Sequence, residues 1–290
     1  MSVEKVFNPK SKIEVLYTLN EYKGDAKLIA GGTDIVISLR NKIIQPKVLI
    51  DISHLEELKE IKENAGVFEI GGAVTFTQIV DSDLFKGNLY GLNKSAREVG
   101  SPQIRNKGTL GGNIANGSSA ADIVPPLIAL DASIVLESKK GQREIKLVDY
   151  YEDPVRVGDD ELISKIYFYK PKENQVLSFS KLGLRKALAI SRLTISALLE
   201  LDDEDEIKTL RLASGALARF PMREKEVEDF FLGKKLCEEN IEKAILVFQE
   251  SLDRRLDGRS TLPYKRIAVE RMLREALEEG KNFSHRVVKA

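Results

Sequence analysis

Two glycine-rich segments are the parts of this 290-residue sequence whose residue types best suit binding chemistry. The first, residues 30–34, reads AGGTD, and the second, residues 108–115, reads GTLGGNIA. Glycine permits positive φ angles and lets backbone N–H groups approach a ligand closely. Successive N–H groups at such a turn form an anion-binding nest, and a helix N-terminus adds a favourable dipole. With further donors at Thr33, Thr109 and Asn113, two such loops suit a pyrophosphate held from both sides.

Neither segment matches a standard nucleotide fingerprint. The pattern GxxxxGK[ST] is absent, and neither loop fits GxGxxG. Glycine also serves simple tight turns, so either loop taken alone fits a turn as well as a binding site. From the residues themselves we therefore infer a phosphate-bearing ligand that is bound in neither a Rossmann nor a P-loop mode.

Composition excludes several classes of protein. Lys plus Arg and Asp plus Glu both number 45, which gives no electrostatic case for nucleic acid or for an anionic membrane. The apolar runs are shorter than the roughly 20 residues of a membrane helix. The N-terminal residues lack the apolar core of a signal peptide. We expect a cytoplasmic protein.

Cysteine and histidine are scarce. Cys237 is the single cysteine, whereas a thiolate-ligated iron–sulfur cluster needs about four. The two histidines, His54 and His285, lie far apart in sequence, so no zinc site is expected. Redox chemistry in this chain would need an organic cofactor. We expect Cys237 to pack within a C-terminal helix.

Hydrophobic spacing predicts short elements around both loops and a more regular C-terminal third. The predicted helices are 9–22, 33–40, 75–80, 84–99, 122–130, 223–232, 238–251 and 263–279. The predicted strands are 27–30, 48–51, 67–72, 132–137, 143–147, 162–169, 176–182, 189–201 and 210–218. Residues 100–119, rich in Gly, Asn, Ser and Thr, are predicted as one long ordered loop.

Beyond these patterns, the sequence resembles a known family. The segments LIAGGTDIVISLR (28–40) and GSPQIRNKGTLGGNIANGSSAADIVPPLIALDA (100–132) resemble the FAD-binding (medium) subunits of the molybdenum hydroxylase or xanthine dehydrogenase family. The stretches KLGLR (181–185) and RSTLPYKR (259–266) extend the resemblance over essentially the whole chain. It implies an α+β protein with a two-subdomain FAD-binding fold of the p-cresol methylhydroxylase (PCMH) type, over residues 1–58 and 59–172. A C-terminal α+β domain, an antiparallel sheet with helices like that of the CO dehydrogenase flavoprotein, is expected over 173–290.

The resemblance also implies the cofactor-binding residues. The first loop would wrap the FAD pyrophosphate, the second would face the phosphates and ribityl chain, and an acidic residue would bind polar flavin or ribityl atoms. The implied residues are Lys27, Leu28, Ile29, Ala30, Gly31, Gly32, Thr33, Asp34, Val99, Gly100, Thr109, Gly112, Asn113, Asp122 and Lys181. Asp122 could instead cap the helix that it opens, and Lys181 could be an exposed cation on a strand. No catalytic or metal-binding residue is expected.

The function implied is electron transfer within a larger complex. A large molybdopterin subunit would oxidise the substrate, two-iron clusters of a small subunit would pass electrons to FAD in this chain, and an acceptor such as NAD(P)+ would take them. Xanthine dehydrogenase is the first expectation, and the same role in a nicotinate, aldehyde or CO dehydrogenase is the alternative. A more distant alternative is a self-contained FAD-dependent oxidase, which would need its own substrate pocket. A scaffold subunit is disfavoured, because it would not need both glycine loops.

Overall fold

The computed structural model describes residues 3–152, 156–185 and 188–287, with side chains described up to Ser284. Twelve strands and eleven α-helices are found in these ranges. The strands are β1 Lys5–Phe7, β2 Ala26–Ile29, β3 Val48–Asp51, β4 Ile61–Asn64, β5 Val67–Gly71, β6 Ser133–Ser138, β7 Gly141–Lys146, β8 Leu162–Tyr169, β9 Gln175–Gly183, β10 Ser191–Leu201, β11 Ile207–Gly215 and β12 Met222–Arg223. The helices are α1 Lys12–Tyr22, α2 Ile35–Arg40, α3 Phe76–Asp81, α4 Tyr90–Arg97, α5 Pro102–Arg105, α6 Leu110–Asn116, α7 Val124–Ala129, α8 Leu147–Glu152, α9 Lys225–Phe231, α10 Glu238–Arg255 and α11 Leu262–Val287.

The chain forms two compact units that interleave along the sequence. The first unit comprises residues 1–81, 101–117 and 132–168, and the second comprises 82–100, 118–131 and 169–290. The division at residues 58 and 172 that the resemblance implies stays a prediction. The mixed helix and sheet content confirms the α+β class.

The first unit contains two sheets. Strand β3 lies between β1 and β2, and both pairings are parallel. Helix α1 packs on this small sheet through Val15 and Leu19, against a core that includes Ile50. The second sheet has the order β4-β5-β8-β6-β7. Strand β2 runs directly into the first glycine loop, so the small sheet fixes the position where that loop begins.

The second unit is an antiparallel sheet covered by helices. Its strand order is β12-β11-β10-β9, and the long strands β9, β10 and β11 pair over most of their length. One apolar core joins β10 and β11 to α9, α10 and α11. Phe231 and Phe248 are fully buried in it. The acidic run 202–206 forms the turn between β10 and β11, where the Asp202 carboxylate accepts hydrogen bonds from the backbone N–H groups of Glu204 and Glu206.

Several predictions about local structure are wrong. Residues 100–119 are not one loop, because α5 and α6 form there behind the N-caps Ser101 and Thr109. The predicted helix 84–99 is broken by short 3₁₀ turns around Gly87, whose φ is +62°. Cys237 is exposed and stands before α10 at its N-cap position rather than packing within a helix. No helix in the described ranges is long and apolar enough to cross a membrane.

Two neighbouring positions of α10 allow a test of the second unit's core. Phe248→Ala should lower the free energy of unfolding by about 3–5 kcal/mol, because the ring is fully buried and its removal leaves a cavity. Leu246→Ala is the matched control, since that side chain is 57% exposed and its loss should cost less than about 0.5 kcal/mol. Urea unfolding followed by circular dichroism measures both. Equal losses in the two variants would contradict this packing.

Candidate cofactor site

The first glycine loop leaves its backbone donors free. It spans Ala30–Asp34 between β2 and α2, and Gly32 has φ of +74°. Within the described part of the chain, the backbone N–H groups of Gly31, Gly32, Thr33 and Asp34 donate no hydrogen bond. Asp34 is the N-cap residue of α2, but its side chain makes no cap hydrogen bond. Four unused donors at a helix N-terminus form a nest that suits an anion.

The polar side chains of this loop are held in place by neighbours. The Thr33 hydroxyl donates to Asp34 Oδ2 at 3.1 Å, and Asn116 Nδ2 donates to Asp34 Oδ1 at 3.3 Å. Asn116 belongs to α6, so this bond links the first loop to the helix of the second motif. Lys27 on β2 pairs with Asp159, with Nζ and Oδ1 3.2 Å apart, and both side chains are substantially exposed. Neither Asn116 nor Asp159 was among the residues expected at the site.

The two loops touch through their backbones. A Cβ atom at Gly31 would lie 1.7 Å from the carbonyl oxygen of Lys107, one residue before the second motif. No side chain fits at this position, and a shift of backbone would be needed to admit even alanine. Glycine at residue 31 is therefore required by the packing of the loops, whatever they bind.

The backbone donors of the second motif are mostly used inside the protein. Leu110 N donates to Val74 O and Gly111 N donates to Gly72 O, both at 2.9 Å. Gly112 N donates to Thr109 Oγ1 at 3.2 Å, so Thr109 caps α6. The expected nest of free backbone donors is therefore not found at Leu110, Gly111 and Gly112, because these N–H groups are used inside the protein. Its glycines instead allow close packing, since a Cβ at Gly111 would lie 2.7 Å from Gly72 O.

One side-chain atom of the second motif lacks a partner. The side-chain oxygen of Asn113 is buried and has no hydrogen-bond partner among the described residues. A buried acceptor without a donor costs about 1–3 kcal/mol. Asn113 follows the exposed Gly112 on α6, and this helix is bonded to the first loop through Asn116. An orphaned acceptor here fits a site that is completed by a ligand with hydroxyl or N–H donors.

In the second unit, Asp122 and Lys181 form a buried ion pair. Lys181 Nζ on β9 lies 2.7 Å from Asp122 Oδ2, and each side chain is 8% exposed. Ser191, at the start of β10, donates to the other carboxylate oxygen of Asp122. Lys181 Nζ also donates to the backbone oxygen of Glu98 at 2.8 Å. Asp122 therefore does not cap α7, and Lys181 is not an exposed cation.

The remaining predicted residues, Val99 and Gly100, lie next in sequence to Glu98, whose carbonyl contacts Lys181. Val99 and Gly100 directly follow Glu98 after the end of α4, and Gly100 has φ of +46°. A cavity of about 450 Å³ opens beside the pair and is lined in part by Glu98, Lys181 and Arg185. The predicted residues therefore form two groups, one in each unit: Lys27–Asp34 with Thr109, Gly112 and Asn113, and Val99–Gly100 with Asp122 and Lys181.

Burial sets the protonation behaviour of Asp122. Loss of solvent raises the pKa of this carboxyl above its ordinary value, and the charge and hydrogen bond of Lys181 oppose that rise. The Ser191 hydroxyl also favours the ionised form. Both carboxylate oxygens are engaged, whereas the Lys181 ammonium has three N–H groups and uses two. The lysine is therefore the member of the pair with a donor to spare.

Comparison with known proteins identifies the family. Residues 2–170 match the FAD binding domain in molybdopterin dehydrogenase, and residues 178–280 match the CO dehydrogenase flavoprotein C-terminal domain. This chain belongs to the FAD-binding subunits of the molybdenum hydroxylase family. The recognition made from the two glycine motifs is thus confirmed, and so is an oxidoreductase subunit with an FAD-binding domain.

Relatives of this family subunit cover nearly its whole length. The nicotinate dehydrogenase FAD-subunit of Eubacterium barkeri is 33% identical over 270 residues, which are 91% of each chain. The putative xanthine dehydrogenase FAD-binding subunit of Escherichia coli is 30% identical over 259 residues, 88% of each chain. Among solved structures, the carbon monoxide dehydrogenase of Hydrogenophaga pseudoflava superposes with a TM-score of 0.88 at 25% identity, covering 97% of this chain and 98% of that one. The predicted fold, an FAD-binding part followed by a C-terminal domain, is confirmed.

The residues of this FAD-binding subunit fit the cofactor. A pyrophosphate matches the free N–H groups of the first loop, and the ribityl hydroxyls are the kind of donor that the orphaned Asn113 oxygen lacks. No group of three or more His, Cys, Asp and Glu side chains in the described ranges is arranged to hold a metal ion.

Removal of Lys181 should show how much the burial of the Asp122 carboxylate lowers the free energy of unfolding when its counter-charge is missing. Lys181→Met should lower the free energy of unfolding by about 3–5 kcal/mol near neutral pH, because Asp122 loses its counter-charge while staying buried. Without the lysine, the pKa of Asp122 rises further in the folded state, so the loss is small below the unfolded pKa of about 3.9 and grows as the pH rises toward the folded pKa. Urea unfolding between pH 5 and pH 8, in steps of about one unit, measures this slope.

The double variant Lys181→Met/Asp122→Asn is the control for that experiment. It removes both charges and keeps an acceptor for Ser191, so it should be more stable than the single variant and should lack the added pH dependence. A single variant with wild-type stability at every pH would show that the pair is not buried.

Proposed function

We propose that this chain binds FAD and carries electrons between a partner subunit and a soluble acceptor. In this proposal Gly31, Gly32, Thr33 and Asp34 hold the pyrophosphate by their N–H groups, with Lys27–Ala30 leading into the loop. Thr109, Gly112 and Asn113 contact the phosphates and ribityl chain, and Val99, Gly100, Asp122 and Lys181 line the flavin end. The observation that carries the proposal is the unused row of backbone donors after β2, in a chain whose family binds FAD.

In the proposed complex, a small subunit with two-iron clusters delivers electrons and a large molybdopterin subunit oxidises the substrate. Support comes from relatives that are medium chains or subunits of dehydrogenase complexes. When bound, FAD would store one or two electrons, so that donors of single electrons can be linked to a two-electron acceptor such as NAD(P)+. This chain's part is to bind and orient the cofactor and to place charge beside it. This chain has a single cysteine, whereas an iron–sulfur cluster needs about four thiolates. This difference supports the proposal that the clusters belong to a separate subunit.

For the substrate, we propose two candidates: a xanthine dehydrogenase-like role, which the sequence resemblance implies first, and a nicotinate dehydrogenase-like role. The nicotinate candidate is favoured by the 33% identity to the Eubacterium barkeri subunit, against 30% for the xanthine dehydrogenase subunit of Escherichia coli. Reduction of the flavin in the assembled complex by xanthine or by nicotinate separates the two. The cytoplasmic location stays a prediction.

Cofactor binding can be tested on the isolated chain. It should carry non-covalent FAD, released on denaturation, without iron–sulfur absorbance. Gly32→Val should lose most of the FAD, because a β-branched residue disfavours φ of +74° and a distorted loop no longer presents its N–H groups. Gly66→Val is a control for backbone strain, since Gly66 has φ of +78° in open space away from the loops. Released FAD per chain and the midpoint of thermal unfolding are measured for both.

Gly66→Val should keep its FAD at a similar cost in stability. Full FAD occupancy in Gly32→Val would mean that the first loop is only a turn. Gly111→Val is a less direct test than it looks from sequence, because its side chain would collide with Gly72 O and destabilise the first unit itself.

A further expectation distinguishes a subunit from a self-contained oxidase. The isolated chain should not reduce its flavin with xanthine, nicotinate or an aldehyde, whereas the complex formed with the two partner subunits should do so with its substrate. The measurement is anaerobic bleaching of the flavin absorbance on addition of each compound. Bleaching in the isolated chain would favour the self-contained oxidase.

A further inference from the structure

The stretch RSTLPYKR (259–266), which carries part of the family resemblance, belongs to neither group of site residues. One of its side chains nevertheless contacts a distant part of the second unit. Lys265, in the first turn of α11, donates from Nζ to the backbone oxygen of Ala216, which follows β11. The two residues are 49 positions apart in sequence. Lys265 therefore holds the chain just beyond the end of β11.

The contact between Lys265 and Ala216 is unfavourable in its local details. Lys265 is half-buried, and burial lowers the pKa of its ammonium below the ordinary value. The positive charges of Arg192 and Arg259 lower that pKa further, and no carboxylate of the described residues pairs with the lysine. Ala216 itself has φ of +60°, a conformation that alanine rarely adopts. Such a local structure persists only where the surrounding chain requires it.

The residue that Lys265 holds is bonded directly to the segment that carries Asp122. Ala216 N donates to the backbone oxygen of Ser119 at 2.6 Å. Ser119 lies within the tight turn 118–121, which is closed by a backbone hydrogen bond of 3.2 Å between its end residues. Asp122 is the next residue of the chain. Lys265 is therefore connected, through two successive hydrogen bonds, to the turn that precedes Asp122.

Close packing holds the same turn on the antiparallel sheet. A Cβ atom at Gly215 would lie 2.4 Å from Thr194 Oγ1 and 3.5 Å from Ser119 O. Gly215 and Thr194 are paired on β11 and β10, and Ser191 at the start of β10 donates to Asp122. The turn thus lies against the sheet with no side chain of residue 215 between them. Because protein interiors are close-packed, a shift of the neighbouring backbone displaces the turn.

We propose that Lys265 is a positioning residue for the flavin end of the site: through Ala216 it holds the turn before Asp122, and so keeps the Asp122–Lys181 ion pair in one place. This inference rests on the proposed function, which sets Lys181 beside the flavin. An ammonium fixed there favours reduced FAD, because the reduced form carries more negative charge. An ammonium that is less well fixed favours it less. Loss of Lys265 should therefore weaken the binding of reduced FAD more than that of oxidised FAD.

The first test is Lys265→Met in the full chain loaded with FAD. The ratio of the dissociation constants of reduced and oxidised FAD should rise about tenfold, which lowers the two-electron midpoint potential by about 30 mV. Anaerobic titration against a redox dye of known potential measures this shift. Lys281→Met is the matched control, because Lys281 also lies on α11 and donates to a backbone oxygen, that of Leu236 at 3.4 Å. Its midpoint potential should equal that of the wild type.

A second test asks whether Lys265 acts through the ion pair. In the variant Lys181→Met/Asp122→Asn the pair is absent, so the addition of Lys265→Met should leave the midpoint potential unchanged. Sites that act independently would instead have additive effects. Lys265→Gln removes the charge and shortens the side chain, and it should show the same shift as Lys265→Met in the chain that keeps the pair. It provides the measurement if Lys265→Met does not fold.

A shift in midpoint potential that disappears when the ion pair is absent supports the proposal. An unchanged potential in a variant that unfolds at lower urea concentration would make the contact merely structural. An equal shift with and without the ion pair would mean that Lys265 acts on the flavin by another route. Either of these two results overturns the proposal. A wild-type chain that carries no FAD would refute the proposed function itself, and the role of Lys265 with it.

Discussion

The contact between Gly31 and the carbonyl of Lys107 is the constraint on which the first unit depends. A backbone carbonyl occupies the place where a side chain would otherwise be, so the first loop and the segment leading to the second motif are locked together without side chains. The same device recurs where Gly111 packs on Gly72. Because the second motif uses its N–H groups to make these contacts, its glycines support the site, while the first loop keeps its donors free. The two motifs are thus similar in composition and different in physical role.

In the second unit the predicted site residues are held by the ion pair of Asp122 and Lys181, whereas in the first unit they are held by close backbone packing at glycine. Burying Asp122 and Lys181 is costly, and such a pair is rarely a net source of stability. The pair instead holds the Lys181 ammonium in one place. Ser191 donates to Asp122, and Asp122 and the Glu98 carbonyl accept two of the three ammonium N–H groups, so that one N–H donor is left. A reduced flavin gains negative charge, so a fixed cation beside it would favour reduction. Asp122 is then a residue that positions Lys181 as well as one that could contact the cofactor.

The described residues of this subunit are suited to binding a cofactor and holding it in position. Its surface charge is almost balanced, yet the segment after the first loop is apolar and purely cationic. Hydrophobic side chains are exposed there because a six-residue helix with no buried face gains nothing from the core of its own unit.

Sequence alone determined the features that arise from local patterns. Strands 48–51 and 162–169 were predicted to the residue, because short apolar runs bounded by turn residues specify strands. The two glycine motifs identified the family, since their order and spacing are read directly along the chain. The caps at Ser101 and Thr109 were also local signals, and they were missed among the surrounding glycines. Tertiary structure alone decided the long-range contacts. Ser191 contacts Asp122 across 69 residues of sequence, and Lys27 contacts Asp159 across 132. The N–H groups of Leu110 and Gly111 in the second motif donate to backbone carbonyls inside the protein. Periodicity reports which face of an element is buried but not which distant residue covers it, so these contacts could not be found before the chain was folded.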